Sequence, residues 1–94
     1  MTYIQKHQEI CNKLNDIYAH KNAAYGNSFK ETYDKLGIIS AVTRITDKYN
    51  RLVNLAVNEN IPQGDESIED TLLDMANYCI MTVMELEIRS KQKN

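Results

Sequence analysis

Apolar residues recur along this chain at helical spacing in four stretches, with polar breaks between them. Ile4, Ile10, Cys11, Leu14, Ile17 and Tyr18 form a stripe that predicts a first helix, opened by Thr2-x-x-Gln5 and running to about Asn22. Tyr25-Gly26-Asn27 is a turn signal, with Gly26 free to take a positive φ. Phe29, Tyr33 and Leu36 then predict a short helix, about 28–36, for which Ser28-x-x-Glu31 supplies a capping box. Gly37 stops it. Ile38, Ile39, Val42, Ile45, Tyr49, Leu52, Val53 and Ala56 give a third helix, about 38–57, its apolar face opposite Ser40, Arg44, Asp47, Lys48 and Arg51. Such a mixed-charge face is ordinarily solvated. Asn58 to Glu66 reads as a polar loop broken by Pro62 and Gly64.

The last stretch, Ser67 to Arg89, predicts the longest helix, started by Ser67 with Asp70 three residues on. Ile68, Leu72, Leu73, Met75, Ala76, Cys79, Ile80, Val83 and Leu86 cover well over half its circumference, so neighbours are expected on several sides. One stripe is polar: Asp70, Asp74 and Asn77 fall at i, i+4 and i+7, and the stripe continues into Met81 and Ile88. Carboxylates and an amide that share a stripe with residues of the buried type need a partner, whether metal, cation or ligand. The expected fold is therefore all-α: one domain over residues 1–94, a small bundle of about four helices.

Length and charge narrow the picture. A domain of 94 residues buries little core, so a homo-oligomer is expected. A net charge of −2 with interspersed signs argues against a nucleic acid polymer as the main partner. The longest apolar run is far short of a membrane span and no signal-like stretch is read, which makes the cytoplasm the expected compartment. Cys11 and Cys79 fall on apolar helical faces and read as reduced, buried thiols. His7 and His20 lie off the stripe or at its edge, where solvated or capping roles suffice.

Two helices carry the same small pattern. Asp47-Lys48-Tyr49-Asn50 and Asp74-Met75-Ala76-Asn77 are both D-x-x-N, and positions three apart share a helix face. If the helices pack antiparallel, up to four oxygens converge, with Asp70 one turn away. Mg²⁺ favours such oxygen sets, with waters and ligand phosphates completing its shell. The segment from Lys21 to Phe29 offers a cation, an aromatic ring and free backbone N–H groups at a helix start, a combination suited to anions. A plain helix–helix connection is the simpler account of it.

The runs KNAAYGNSF, LGIISAVTRITDKYNRL and ESIEDTLLDMANYCIM, within about Lys21 to Glu85, resemble the phage-associated family called nucleotide modification associated domain 1. That family is similar in turn to MazG-like all-α nucleotide pyrophosphohydrolases. The resemblance implies a MazG-like helical bundle that assembles as a homo-oligomer, with nucleotide sites between helices or subunits. Asp47, Asn50, Asp74 and Asn77 sit at the spacing of the MazG-like acidic residues, but only Asp47 and Asp74 are acidic here. Carried over, the resemblance makes Lys21, Asn22, Tyr25, Ser28, Phe29, Arg44, Lys48, Asn50, Arg51 and Asn77 candidate ligand-binding residues. Asp47, Asp70 and Asp74 become candidate Mg²⁺ ligands.

Three functions are compatible with these features. The first is a phage-type binding module in the bacterial host cytoplasm. It would hold a small nucleotide, or sequester a nucleotide-derived immune signal, with Arg44, Lys48 and Arg51 meeting phosphate. The second is a Mg²⁺-dependent nucleoside triphosphate pyrophosphohydrolase. The third is a structural helical oligomer whose polar stripe is an internal network.

Overall fold

A computed structural model describes residues 1–25, 27–58 and 67–92. The order is α1 (Tyr3–Tyr25), α2 (Ser28–Leu36), α3 (Ile38–Val57) and α4 (Ile68–Gln92), with no strand among the described residues. Gly26, Pro62 and Gly64, singled out as breakers, lie outside the described residues, as does the side chain of Tyr25.

Two helix starts form as local chemistry dictates. The Thr2 amide donates to Gln5 Oε1 at 2.7 Å while the Gln5 amide donates to Thr2 Oγ1 at 3.1 Å, a reciprocal capping box. At α4 the Asp70 amide donates to Ser67 Oγ at 3.1 Å and the Ser67 amide reaches Asp70 Oδ2 at 3.3 Å. The box expected at Ser28-x-x-Glu31 does not form. Asn27 is the N-cap, without a side-chain bond, and Ser28 is already helical. Gly37 separates α2 from α3 at φ 75°, a conformation disfavoured for residues with a Cβ. Its amide donates to the Tyr33 carbonyl at 2.8 Å, and its own carbonyl accepts from Ser40 Oγ at 2.7 Å.

The most extensive packing is α3 on α4; α2 rests on α3, and α1 meets α4 over a smaller area. Leu14, Tyr33, Ala41, Leu55 and Leu73 are the buried apolar residues among those described. Each large one contributes about 1.5–3 kcal/mol over exposure. The rest of the α4 interior is polar. Thr71 and Thr82 are buried with their hydroxyls donating to the carbonyls of Ser67 and Tyr78, so neither is left unsatisfied.

Three expectations need correction. α3 packs through only part of the face read from its sequence: Ile45 and Leu52 lie on the packed side, but Ile38, Ile39, Val42, Tyr49 and Val53 are exposed. It packs through Ala41, Ile45, Lys48, Leu52 and Leu55, a stripe rotated toward the basic side. A helix apolar over so wide an arc offers two usable stripes, and only the partner helix selects one. α4 is covered less than expected, because one chain has too few helices to surround it. Leu72, Ile80, Val83 and Leu86 stay exposed. Cys79 is accordingly exposed rather than buried, and Cys11 is half-buried.

Candidate functional site

The site grows from Asp74, about two turns into α4. Its neighbours on the packed side come from two other helices. Lys21, near the end of α1, donates to Asp74 Oδ1 at 2.8 Å, and Lys48 of α3 lies 3.1 Å from Asp74 Oδ2. The rotation of α3 explains the second contact: Lys48 sits on the packed stripe rather than on a solvated face, with its side chain 21% exposed. Burial pushes the Asp74 carboxyl up, but hydrogen bonds and charges from Lys21 and Lys48 outweigh it. The group titrates below its ordinary value of 3.8 and is ionised at neutral pH.

One helical turn on, Asn77 is buried and its Nδ2 donates to the Leu14 carbonyl at 3.1 Å. This bond spans α1 and α4 at a backbone carbonyl inside a helix. It fixes which end of the amide is committed.

Beside these groups opens a cavity of about 380 Å³, a size typical of small-molecule sites. Lys21, Asn22 and Tyr18 of α1 line it, with Asp74, Asn77, Tyr78 and Met81 of α4 and Arg44 of α3. Asn27, Ser28, Phe29 and Lys30, the first turn of α2 and its cap, complete the wall. Phe29 and Tyr78 have ring centroids 6.1 Å apart at a 33° tilt, an aromatic side within that wall. A smaller recess of about 60 Å³ adjoins under α2, with Thr32 and Ser40 in its lining. Three cations therefore border the cavity against one carboxylate. Arg44 has no ion-pair partner among the described residues, whereas Lys30 is paired with Asp34 at 2.8 Å.

Of the residues proposed from sequence, Lys21, Asn22, Ser28, Phe29, Arg44, Asp74 and Asn77 line this one cavity. Lys48 stands behind it through Asp74. Arg51 is half-buried on α3 and Asn50 is exposed; neither lines the cavity. The three proposed metal ligands are not brought together within one chain. Asp70 is engaged in the α4 cap, Asp47 is exposed and outside the lining, and both Asp74 oxygens face lysines. Among the described residues no group of three or more His, Cys, Asp or Glu is placed to hold a metal ion. Five lining residues escaped the sequence reading: Tyr18, Asn27, Lys30, Tyr78 and Met81. Tyr18 belongs to the stripe that reads as the core face of α1. Tyr78 and Met81 were detectable in principle as apolar neighbours of the Asp74–Asn77 stripe. Asn27 lies within the Lys21–Phe29 segment but reads there only as part of a turn, and nothing local marks Lys30 beyond its closeness to Phe29.

No curated protein and no solved structure matches the chain. A family model does, over residues 21–86, a span that contains all of the cavity lining except Tyr18. On that match the chain belongs to the family described as nucleotide modification associated domain 1.

Proposed function

We propose that this protein binds a small nucleotide, or a nucleotide-derived signalling molecule, in the cavity between α1, α2, α3 and α4. The observation that carries the reading is the composition of one wall system: Arg44 and Lys21 for phosphate, Phe29 and Tyr78 for a base, and Asn22, Asn27 and Asn77 for polar edges. The first turn of α2 adds to it. Its N-cap makes no side-chain bond, so backbone N–H groups at Ser28 and Phe29 remain suited to an anion. Family membership supports the same chemistry.

Binding is favoured over Mg²⁺-assisted hydrolysis because Asp74 is the one carboxylate in the lining and already faces two lysines. Within a single chain these residues do not fit an oxygen cage for Mg²⁺. A phage-type protein of this kind would act in the host cytoplasm, serving nucleotide metabolism or sequestering a host immune signal.

The binding unit is a homo-oligomer in this reading. The radius of gyration is 15.2 Å, against about 12 Å for a compact domain of this length. Ile38, Ile39, Val42, Tyr49 and Val53 along α3, with Leu72, Ile80 and Val83 on α4, are exposed and suit a second copy.

Calorimetry against nucleoside mono-, di- and triphosphates and cyclic dinucleotides tests the function, alongside sedimentation of the free protein. Saturable binding by an assembled species is the expected result. Silence from every nucleotide overturns the binding reading, and a lone 10.9 kDa species overturns self-association.

A further inference from the structure

The α4 wall of the cavity has a polarity that the binding reading alone does not use. Asp74 and Asn77 are three residues apart and both line the cavity. Asp74 is ionised and acts only as an acceptor. Its two oxygens have about four lone-pair positions, of which Lys21 and Lys48 take two. Asn77 commits one of its two amide N–H groups to the Leu14 carbonyl, and its carbonyl oxygen accepts no hydrogen bond among the described residues, so that oxygen is open to a ligand. Two adjacent side chains thus offer acceptors side by side.

Resting on the nucleotide reading above, we infer that Asp74 and Asn77 select the base, and that the base is guanine. The argument is one of matching edges. Guanine presents two adjacent donors, the N1–H and the 2-amino group, to an acceptor pair. Adenine sets an acceptor, N1, beside its 6-amino donor, so one of its atoms meets an acceptor head-on. Uracil has a single N–H flanked by two carbonyl oxygens, and cytosine has one donor beside the N3 acceptor. A carboxylate facing a base acceptor in a half-buried site leaves two lone pairs opposed, which is costlier than a missing contact. Phe29 and Tyr78, in the same lining, supply stacking surface for the purine. Lys21 and Arg44 remain for the phosphate, so the carboxylate does not set the sign of the site.

The test uses the unmodified protein and matched ligand sets. Affinities are measured for guanine, hypoxanthine and adenine nucleotides as monophosphates, triphosphates and cyclic dinucleotides. In whichever phosphate form binds, guanine is expected to bind tighter than adenine by about tenfold or more. Hypoxanthine, which keeps N1–H and lacks the 2-amino group, falls between them. Adenine binding as well as guanine overturns the base assignment while leaving nucleotide binding intact. Absence of binding in every set overturns both. Asp74→Asn adds a second measurement, because an amide can turn its donor toward adenine N1. The guanine preference should shrink to less than about threefold in this variant, with folding checked by circular dichroism. An undiminished preference in a folded Asp74→Asn protein removes Asp74 from the assignment.

Discussion

Two charged clusters sit on α4, and they are mirror images in sign. At Asp74 one anion lies between two cations, contributed by α1 and α3. Near the other end of the helix, Arg89 lies between two anions. It donates to Asp34 of α2 and, at 3.1 Å, to Glu85, which is buried. Arg89 also stacks over the Tyr33 ring at 4.4 Å, and Lys30 completes the set by pairing with Asp34. The Arg89 cluster balances two carboxylates with two cations, and its ring contact is with a buried tyrosine. It holds α2 against α4, and the one donor it leaves without a partner, Arg89 Nε, is buried. At the Asp74 cluster the described residues set two lysines against one carboxylate, beside a cavity where Arg44 adds a further cation. Balanced charge closes a structure, whereas unbalanced charge beside a cavity leaves capacity for an anion.

The largest expected difference between the two clusters is in ligand affinity. Arg44→Ala should weaken nucleotide binding by about tenfold to a hundredfold, the worth of a charge-assisted bond to phosphate. Arg89→Ala, outside the cavity lining, should change affinity by less than about threefold in protein that is still folded. It should instead lower the thermal midpoint, because Glu85 loses the cation beside it in a buried position. Titration calorimetry and thermal melts on both variants separate the roles. If Arg89→Ala abolishes binding at an unchanged midpoint, the two ends have been assigned the wrong way round.

A smaller effect is expected where the two functions meet. Asn77 ties α1 to α4 and also lines the cavity, so Asn77→Ala should cost stability as well as base contact. Loss of a buried amide–carbonyl bond destabilises by about 1–3 kcal/mol, read as a lowered urea midpoint at unchanged slope. An unchanged midpoint would mean that the Leu14 carbonyl is readily satisfied by water and that Asn77 is not structural.

Features that depend on neighbours in sequence were legible: four helices, the stop at Gly37, and the caps at Thr2 and Ser67. Each is decided within about one turn of chain. The Ser28 box was misread because Asn27 took the cap position, a choice between adjacent residues that composition does not settle. The orientation of α3 was misread for a deeper reason. Ala41 and Leu55 are buried while Ile39 and Val42 are exposed, so helix packing, not hydrophobicity alone, decides which stripe turns inward. That rotation carries Lys48 to Asp74. The Asp74–Asn77 stripe was correctly seen to need partners, but the partners Lys21 and Leu14 lie more than fifty residues away. No spacing rule reaches that far.

Acid separates the clusters again, with the smallest effect of the three. Asp34 and Asp74 both titrate below 3.8, for different reasons. Asp34 is lowered first by its hydrogen bond from Lys30 and then by Arg89. Asp74 is pushed up by burial and pulled further down by Lys21 and Lys48. Because each folded value lies under the unfolded one, each ion cluster contributes stability above pH 3.8. That contribution is lost as pH falls through the lower folded value. Replacing Asp74 with Asn should therefore flatten the acid limb of the stability curve below pH 3.8, measured by urea unfolding at successive pH values. Above that pH the variant should be uniformly less stable than the parent. Saturating nucleotide adds a second reading. A phosphate that draws Lys21 away from Asp74 raises the carboxyl toward its ordinary value, so the complex takes up a proton at higher pH than the free protein. Calorimetry in two buffers of different ionisation heat detects that uptake near pH 4. If the nucleotide binds with no proton linkage there, Asp74 keeps a donor on each oxygen, either Lys21 itself or an N–H of the base in its place.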